Sequence, residues 1–341
     1  MKIAIHNRAK SYSVDWINYC IQYGIEFKVV NCYDNDIISQ IKDCDALMWH
    51  HYHLSPRDTL FAKQLTYSLE MSGKIVFPDF RTSWHFDDKL GQKYLLESIN
   101  APLAVSYAFY SKPEAKNWAE EASFPKVFKL RGGSSSDNVK LVKNLREAKK
   151  FINKAFNGGF KQYNSTDNLK ERLRKYRADY VNSWEVIKGL TRIIIPTPYS
   201  RVRGKDRGYI YFQDFVPDNT HDIRVTYVFN KCFASRRKIR YGDFRASGSG
   251  MSDFDMSQIP TKALRIAFDV ANKCKLQSAA FDFVVLNGEP LIVEMSYAFG
   301  HHPDQFNHGY WDENLNYFKG TFDPYGWMVE GVLESIRRNK K

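Results

Sequence analysis

Short apolar runs alternate with helical patterns through the first 80 residues, and then the alternation stops. KIAIH (2–6), EFKVV (26–30), ALMWH (46–50) and KIVFP (74–78) read as buried strands. Between the first two, Trp16, Ile17, Cys20 and Ile21 fall at helical spacing. Between the last two, a helix opens with Ser55 as N-cap and Pro56 at its first position, and closes with Gly73. Such alternation predicts a parallel sheet covered on both faces, with ligands at the carboxyl ends of its strands. A helix with Leu90, Tyr94, Leu95 and Ile99 on one face follows. After it the strands come in adjacent runs: PKVFKL (125–130), NVKLV (138–142), YIYFQDFV (209–216), DIRVTYVFN (222–230) and KCFASRRKIR (231–240). Last come FDFVVLN and EPLIVEMSY, joined at Asn287-Gly288, a hairpin dipeptide. The expected class is therefore α/β followed by α+β, with antiparallel sheet in the second part.

A chain of 341 residues is long enough for two or three domains. No stretch approaches the ~20 apolar residues of a membrane helix, and the N-terminus lacks a signal-peptide core. The five cysteines are scattered, which fits neither a disulfide framework nor a zinc site and points to a reducing, cytoplasmic setting. The net charge of +12 is regional: residues 140–207 carry 18 basic and 6 acidic side chains, and the remainder balances. Within that region Leu169, Leu173, Tyr176, Tyr180, Trp184 and Ile187 recur at steps of three and four, the pattern of an amphipathic helix with a basic outer face. Core packing is the favoured reading of this stripe over base stacking, because it follows the buried helical period. For the charge two readings stay open: a solvated face, or a surface for an anionic polymer.

Three groups of residues carry chemistry. In FKLRGGSSSDNV a strand ends at Lys129 and runs into Gly132, Gly133, Ser134, Ser135 and Ser136; glycines expose backbone N–H groups to polyphosphate and hydroxyls add donors. The alternative is an ordinary Gly/Ser hairpin, and the GKS/T ending of a Walker loop is absent. Asp282 and Glu294 lie on the two strands of the Asn287-Gly288 hairpin, with Ser296 beyond, where two carboxylates can hold a hard divalent cation; the alternative is pairing with Arg or Lys. Arg224, Arg236, Arg237, Lys238, Arg240 and Arg245 fall on paired strands and a loop, either beside a phosphate or as a basic sheet face. His50, His51 and His53 end the third strand, more often the mark of a capped strand end than of a substrate contact. His301, His302, His308 and the aromatic and acidic residues after them suggest an acceptor-recognition loop.

In this order the groups resemble the ATP-grasp superfamily, particularly its RimK-like glutamate-ligase branch, from about Phe86 to Phe299. TSWHFDDKLGQKYLLESINAPLAVSY is similar to the opening motif, with Lys89 as a first phosphate lysine and Lys129 as the second. YFQDFVPDNTHDIRV is similar to the hinge, which implies Gln213, Asp214, Phe215 and Val216 along the adenine and Asp222 with Arg224 as the paired DxR. ASRRKIRYGDFRASGSG is similar to the arginine motif, and the resemblance implies Arg237 and Arg245 beside the transferring phosphoryl group. AFDFVVLNGEPLIVEMSY is similar to the metal motif, which implies Asp282, Glu294 and Ser296 as the metal residues. Two departures stand out: Ser296 replaces the usual metal-binding Asn, and Asp214 the usual hinge Glu. The resemblance implies a small parallel α/β domain (1–85) before an ATP-grasp domain (86–341) of two α+β subdomains. These are a nucleotide part at about 121–214 with the basic helical insertion at about 160–207, and a catalytic and metal part at about 215–341. It implies ATP and Mg²⁺ as cofactors, and a carboxylate and an amine joined through an acylphosphate. The resemblance does not fix the substrate; an amino acid, a peptide or a sugar acid of polysaccharide biosynthesis is the expectation. The rival is a non-catalytic ATP-binding or nucleic-acid-binding module that works through the basic insertion.

Overall fold

The computed structural model describes residues 1–133, 138–161, 204–239, 243–246, 251–300 and 303–341, with positions 173, 176 and 184 between. Two compact units emerge. Unit 1 takes Met1–Phe86, Tyr94–Pro102 and Asn219–Lys341; unit 2 takes Asp87–Lys93 and Leu103–Asp218.

Unit 1 begins with strands β1 (Lys2–His6), β2 (Glu26–Val30), β3 (Ala46–Met48) and β4 (Ile75–Phe77). They pair in parallel in the order β2-β1-β3-β4, as the alternation predicts. Successive side chains of a strand point to opposite faces, and here each face has its own core. Ile3, Ile5 and Met48 enter one cluster; Ala4 and Leu47 enter the other. The connecting helices are α1 (Tyr12–Gln22), α2 (Ile37–Gln40) and α3 (Pro56–Met71), followed by the short α4 (Phe80–Ser83). Ser55 caps α3 by accepting the Asp58 N–H, and Gly73 lies one residue past the C-cap Ser72 at φ +85°.

Helix α5 (Lys89–Ser98) starts in unit 2 and ends in unit 1. Unit 2 continues with β5 (Ser106–Phe109), α6 (Lys112–Glu121), β6 (Lys126–Lys129), β7 (Lys140–Val142) and α7 (Leu145–Phe156). It closes with β8 (Phe160–Lys161), β9 (Lys205–Asp206) and β10 (Ile210–Asp214). The antiparallel order is β5-β10-β6-β7, and Phe128, Ile210 and Phe212 pack with Ala115, Ala119, Ala148 and Ile152 of α6 and α7. The expected basic helix lies outside the described residues except at Leu173, Tyr176 and Trp184. These three are helical and exposed, which corrects the core reading of the stripe at those positions. The helix-facing side of the sheet is already filled by α6 and α7.

The rest of unit 1 is antiparallel: β11 (His221–Val228), β12 (Lys231–Lys238), β13 (Ser252–Asp253), β14 (Ser278–Leu286), β15 (Glu289–Ser296), β16 (Tyr310–Asp312) and β17 (Tyr317–Phe318). The path runs β15-β14-β11-β12-β16-β17. Helix α8 (Thr261–Cys274) precedes β14, and α9 (Pro324–Asn339) ends the fold. Met328, Val329, Val332 and Ile336 of α9 share one core with Ile3, Trp16 and Phe77 of the parallel layer and with Val228 and Phe233 of the antiparallel sheet. Gly331 of α9 lies against the ring of Phe229, which an added Cβ would strike. Gly331→Ala is therefore expected to lower the stability of unit 1 by about 1–3 kcal/mol, read as a lower urea midpoint. Gly158→Ala, which meets nothing within 4 Å, serves as the neutral control.

Candidate functional site

The two faces of the unit 2 sheet differ. Alternation sends Phe128 and Phe212 into the core, so Lys129, Tyr211 and Gln213 fall on the other face, in register through the pairs Tyr211↔Lys129 and Gln213↔Val127. There Lys129 Nζ donates to Gln213 Oε1 at 2.7 Å, Gln213 Nε2 donates to Ser106 Oγ at 3.0 Å, and the Tyr211 hydroxyl donates to Ser106 Oγ at 2.8 Å. Lys129 is buried, and so is Lys89 at the start of α5. Lys89 Nζ donates to the Gly133 carbonyl at 2.9 Å, and its backbone N–H donates to the Arg131 carbonyl at 2.8 Å. Lys89 is thus tied to the Gly132-Gly133 turn, which follows the strand that ends at Lys129. Ser134, Ser135 and Ser136 lie outside the described residues.

Sequence reasoning missed what ties this turn down. Asp87, at φ +54°, accepts the Gly133 N–H at 2.6 Å, and Asp88 takes Arg131 at 2.5 Å and the Gly91 N–H at 3.0 Å. A carboxylate already sits on the loop amide, so this amide is presented in a geometry that suits an anion. The visible signal in the sequence is the DDK triplet at 87–89. Asp214 pairs with buried Lys126 at 2.5 Å, whose ammonium also lies over the Tyr107 ring. Phe215 and Val216 follow β10, half-buried.

In unit 1 the charged residues form a lattice across three neighbouring strands, β14, β11 and β12. Arg224 stands opposite Asp282 and grips it with two bonds, at 2.7 and 2.9 Å. Arg237 stands opposite Asp222, donates to it at 2.7 and 2.5 Å, and reaches Asp282 at 2.8 Å. Burial works against the charge of Asp282, yet the two guanidiniums prevail and hold its carboxyl far below the usual range. Burial pushes the Asp222 carboxyl up, with Arg237 opposing. The carboxylate pair depends on one irregularity. The turn at Asn287 (φ +51°) and Gly288 (φ +82°) sets Leu286↔Glu289 through Phe283↔Ile292, a register that would next place Asp282 opposite Val293. A bulge between Asp282 and Phe283 shifts the pairing, so Asp282 stands opposite Glu294. One extra residue thus re-aims a whole strand end.

Two expected residues are engaged locally. Arg245 is held by Asp243 at 2.7–3.0 Å. The Ser296 hydroxyl donates to the Ala298 carbonyl at 2.7 Å and accepts its N–H at 3.2 Å, turned back on its own chain. The histidines after β3 enter the interior of unit 1: His51 is buried and unpartnered at Nε2, and His50 stacks on Tyr12 with ring centroids 3.7 Å apart. His301 and His302 lie outside the described residues, and His308 stacks on Phe254.

No protein-family model and no curated protein matches this sequence. Solved structures do resemble it in fold. A RimK-domain ATP-grasp protein from Sphaerobacter thermophilus aligns with a TM-score of 0.56 at 14% identity, over 98% of this chain and 100% of that one. D-alanine–D-alanine ligase from Bacillus anthracis, solved with ATP, aligns at 0.60 and 12%, over 100% and 98%. The ATP-grasp ligase PsnB, solved with a minimal precursor, Mg and ADP, aligns at 0.53 and 11%, over 99% and 98%.

Proposed function

From the ATP-grasp fold of this chain, we propose that it is an ATP-dependent ligase joining a carboxylate to an amine. The observation that carries the reading is the bulge that sets Asp282 opposite Glu294 beside Arg224 and Arg237. Carboxylates fixed in this way suit Mg²⁺, which takes one or two of them when phosphate oxygens complete its shell. Among the described residues no group of three or more His, Cys, Asp or Glu is arranged for a metal; the Asp282–Glu294 pair is the donor set of this proposal. When bound there, Mg²⁺ would neutralise phosphate charge. Ser296, folded onto Ala298, is left out of the direct ligands.

In unit 2, Lys89, Lys129 and the Gly132-Gly133 turn would hold the ATP phosphates, and the hinge from Gln213 to Val216 would hold the base. In unit 1, Arg237 and Arg224 are the cations for the phosphoryl group, and a carboxylate anchors each of them in a fixed direction. The carboxylate substrate attacks the γ-phosphorus and ADP leaves. The amine then attacks the acyl carbon, phosphate departs, and the amine loses a proton. An amino acid, a peptide or a sugar acid is the proposed acid.

The test is ADP release by the purified chain with Mg·ATP against pooled amino acids and sugar acids, each with and without an amine. Release that needs both partners supports the ligase; ATP binding without turnover in any pool supports the non-catalytic module. Lys129→Ala is expected to weaken ATP binding by about tenfold or more, the loss of a charge-assisted bond of about 1.5–3 kcal/mol. Calorimetry that returns the parent affinity removes Lys129 from the nucleotide site.

A further inference from the structure

The parallel sheet of unit 1 has a switch point in its strand order that the ATP chemistry leaves unused. Its order β2-β1-β3-β4 means that the chain leaves β1 toward one side and reaches β3 on the other. The loops after β1 and β3 therefore part at the carboxyl ends of two neighbouring strands, the place where open parallel sheets bind ligands. These loops carry Arg8 and His50.

The chemistry there favours an anion. Asp58 is buried and receives the Tyr33 hydroxyl at 2.5 Å, the Tyr52 N–H at 2.6 Å and the Ser55 hydroxyl at 2.7 Å. Arg8 reaches Asp58 only as the longest of these contacts, at 3.3 Å, and also donates to the His50 carbonyl at 3.3 Å. Two bonds use part of a five-donor fork, and the Arg8 side chain stays 28% exposed. His50 is oriented by its other nitrogen: Nδ1 accepts the Tyr12 N–H at 3.3 Å and meets the Ser11 hydroxyl at 3.0 Å. An accepting Nδ1 places the ring proton on Nε2, so the neutral ring keeps a donor at its far end. Burial, then Arg8, holds the His50 ring well below the usual imidazole range.

Tyr12, at the start of α1, and the loop that carries His51 are also fastened to the chain just past the strand that carries Glu294. The Tyr12 hydroxyl donates to the Phe299 carbonyl at 2.5 Å and accepts the Phe299 N–H at 2.6 Å, while the Tyr297 hydroxyl donates to the His51 carbonyl at 2.5 Å. Three to five residues past Glu294, the chain is thus pinned to the Arg8–His50 side of the sheet.

We propose that Arg8 and His50 form a carboxylate-binding subsite, the guanidinium and the Nε2–H of His50 gripping one carboxylate of a substrate. This deepens the ligase reading and rests on it for the identity of the substrate. The site itself is testable without turnover. The chain is labelled with ¹⁵N-histidine, the His50 signals are assigned by their loss in His50→Gln, and acetate is titrated in as the carboxylate probe. Methylammonium chloride and sodium chloride at matched ionic strength, and inorganic phosphate, are the other arms. The expected result is a saturable shift of the His50 Nε2–H signal with acetate, absent with both chlorides. It weakens at least tenfold in Arg8→Gln and also in Arg8→Lys, which keeps a charge beside Asp58 but loses the fork. A shift that does not saturate, one equal in Arg8→Lys and the parent, or one seen with phosphate alone overturns the proposal. Absent ADP release with the acetate response intact refutes the ligase and leaves the subsite; ADP release with no acetate response does the reverse.

Discussion

Asp282→Asn is expected to abolish Mg²⁺-dependent ADP release, by at least about 10²- to 10³-fold, and also to weaken the fold. The second effect follows from the lattice. Asp282 is buried and receives three bonds from Arg224 and Arg237, and an amide cannot balance either charge. Breaking a buried pair by removing one partner costs about 3–5 kcal/mol, here tempered because Arg237 keeps Asp222. Glu294→Gln separates the two effects. Glu294 stands opposite Asp282 but is only half-buried, so its charge is expected to matter for the cation far more than for stability. The pair of variants is read by ADP release and by urea midpoints. Parent-like turnover in Glu294→Gln would refute the metal assignment whatever happens to Asp282.

Mild acid is expected to unfold unit 1 steeply. His6, His50 and His51 lie together at the carboxyl ends of β1 and β3, and burial lowers all three rings, His51 to about 3. A ring that is neutral when folded but titrates near 6.5 when unfolded gives stability that is whole above pH 6.5. That stability is lost as pH falls from there toward the folded value. Each such ring contributes a slope of up to about 1.4 kcal/mol per pH unit, reached below pH 6.5 while the folded ring stays neutral, against about 5–15 kcal/mol for an ordinary domain. Burial pushes the carboxyls of Glu70 and Asp79 up, which acts the other way and blunts the fall. Urea unfolding at pH 7.5, 6.5 and 5.5 measures the slope. His51→Phe keeps a ring against Tyr297 and Phe86 and should remove about one proton from it. An unchanged slope would mean that His51 already titrates normally.

The local patterns were legible because their causes are local. Period-2 apolar runs place β1 to β4, Ser55 starts α3, and Asn287-Gly288 turns β14 into β15. Lys129, Asp282 and Glu294 were visible for the same reason, as charged residues inside otherwise apolar strands, whereas Lys89 was visible only through the resemblance of its motif. The partners of those residues were not legible, because each is chosen by a strand or loop distant in sequence. Arg224 meets Asp282 across 58 positions, and Asp87 meets Gly133 across 46. Counting from the turn alone would set Glu294 opposite Phe281, on the other face; the bulge reverses this, and only the assembled sheet selects it. The single core joining Ile3 and Trp16 to Val332 and Phe233 is likewise decided by tertiary structure. Sequence by itself determined which faces are apolar; packing determined which apolar face each one covers, since burial rewards any apolar partner alike and only shape and chain connection choose among them.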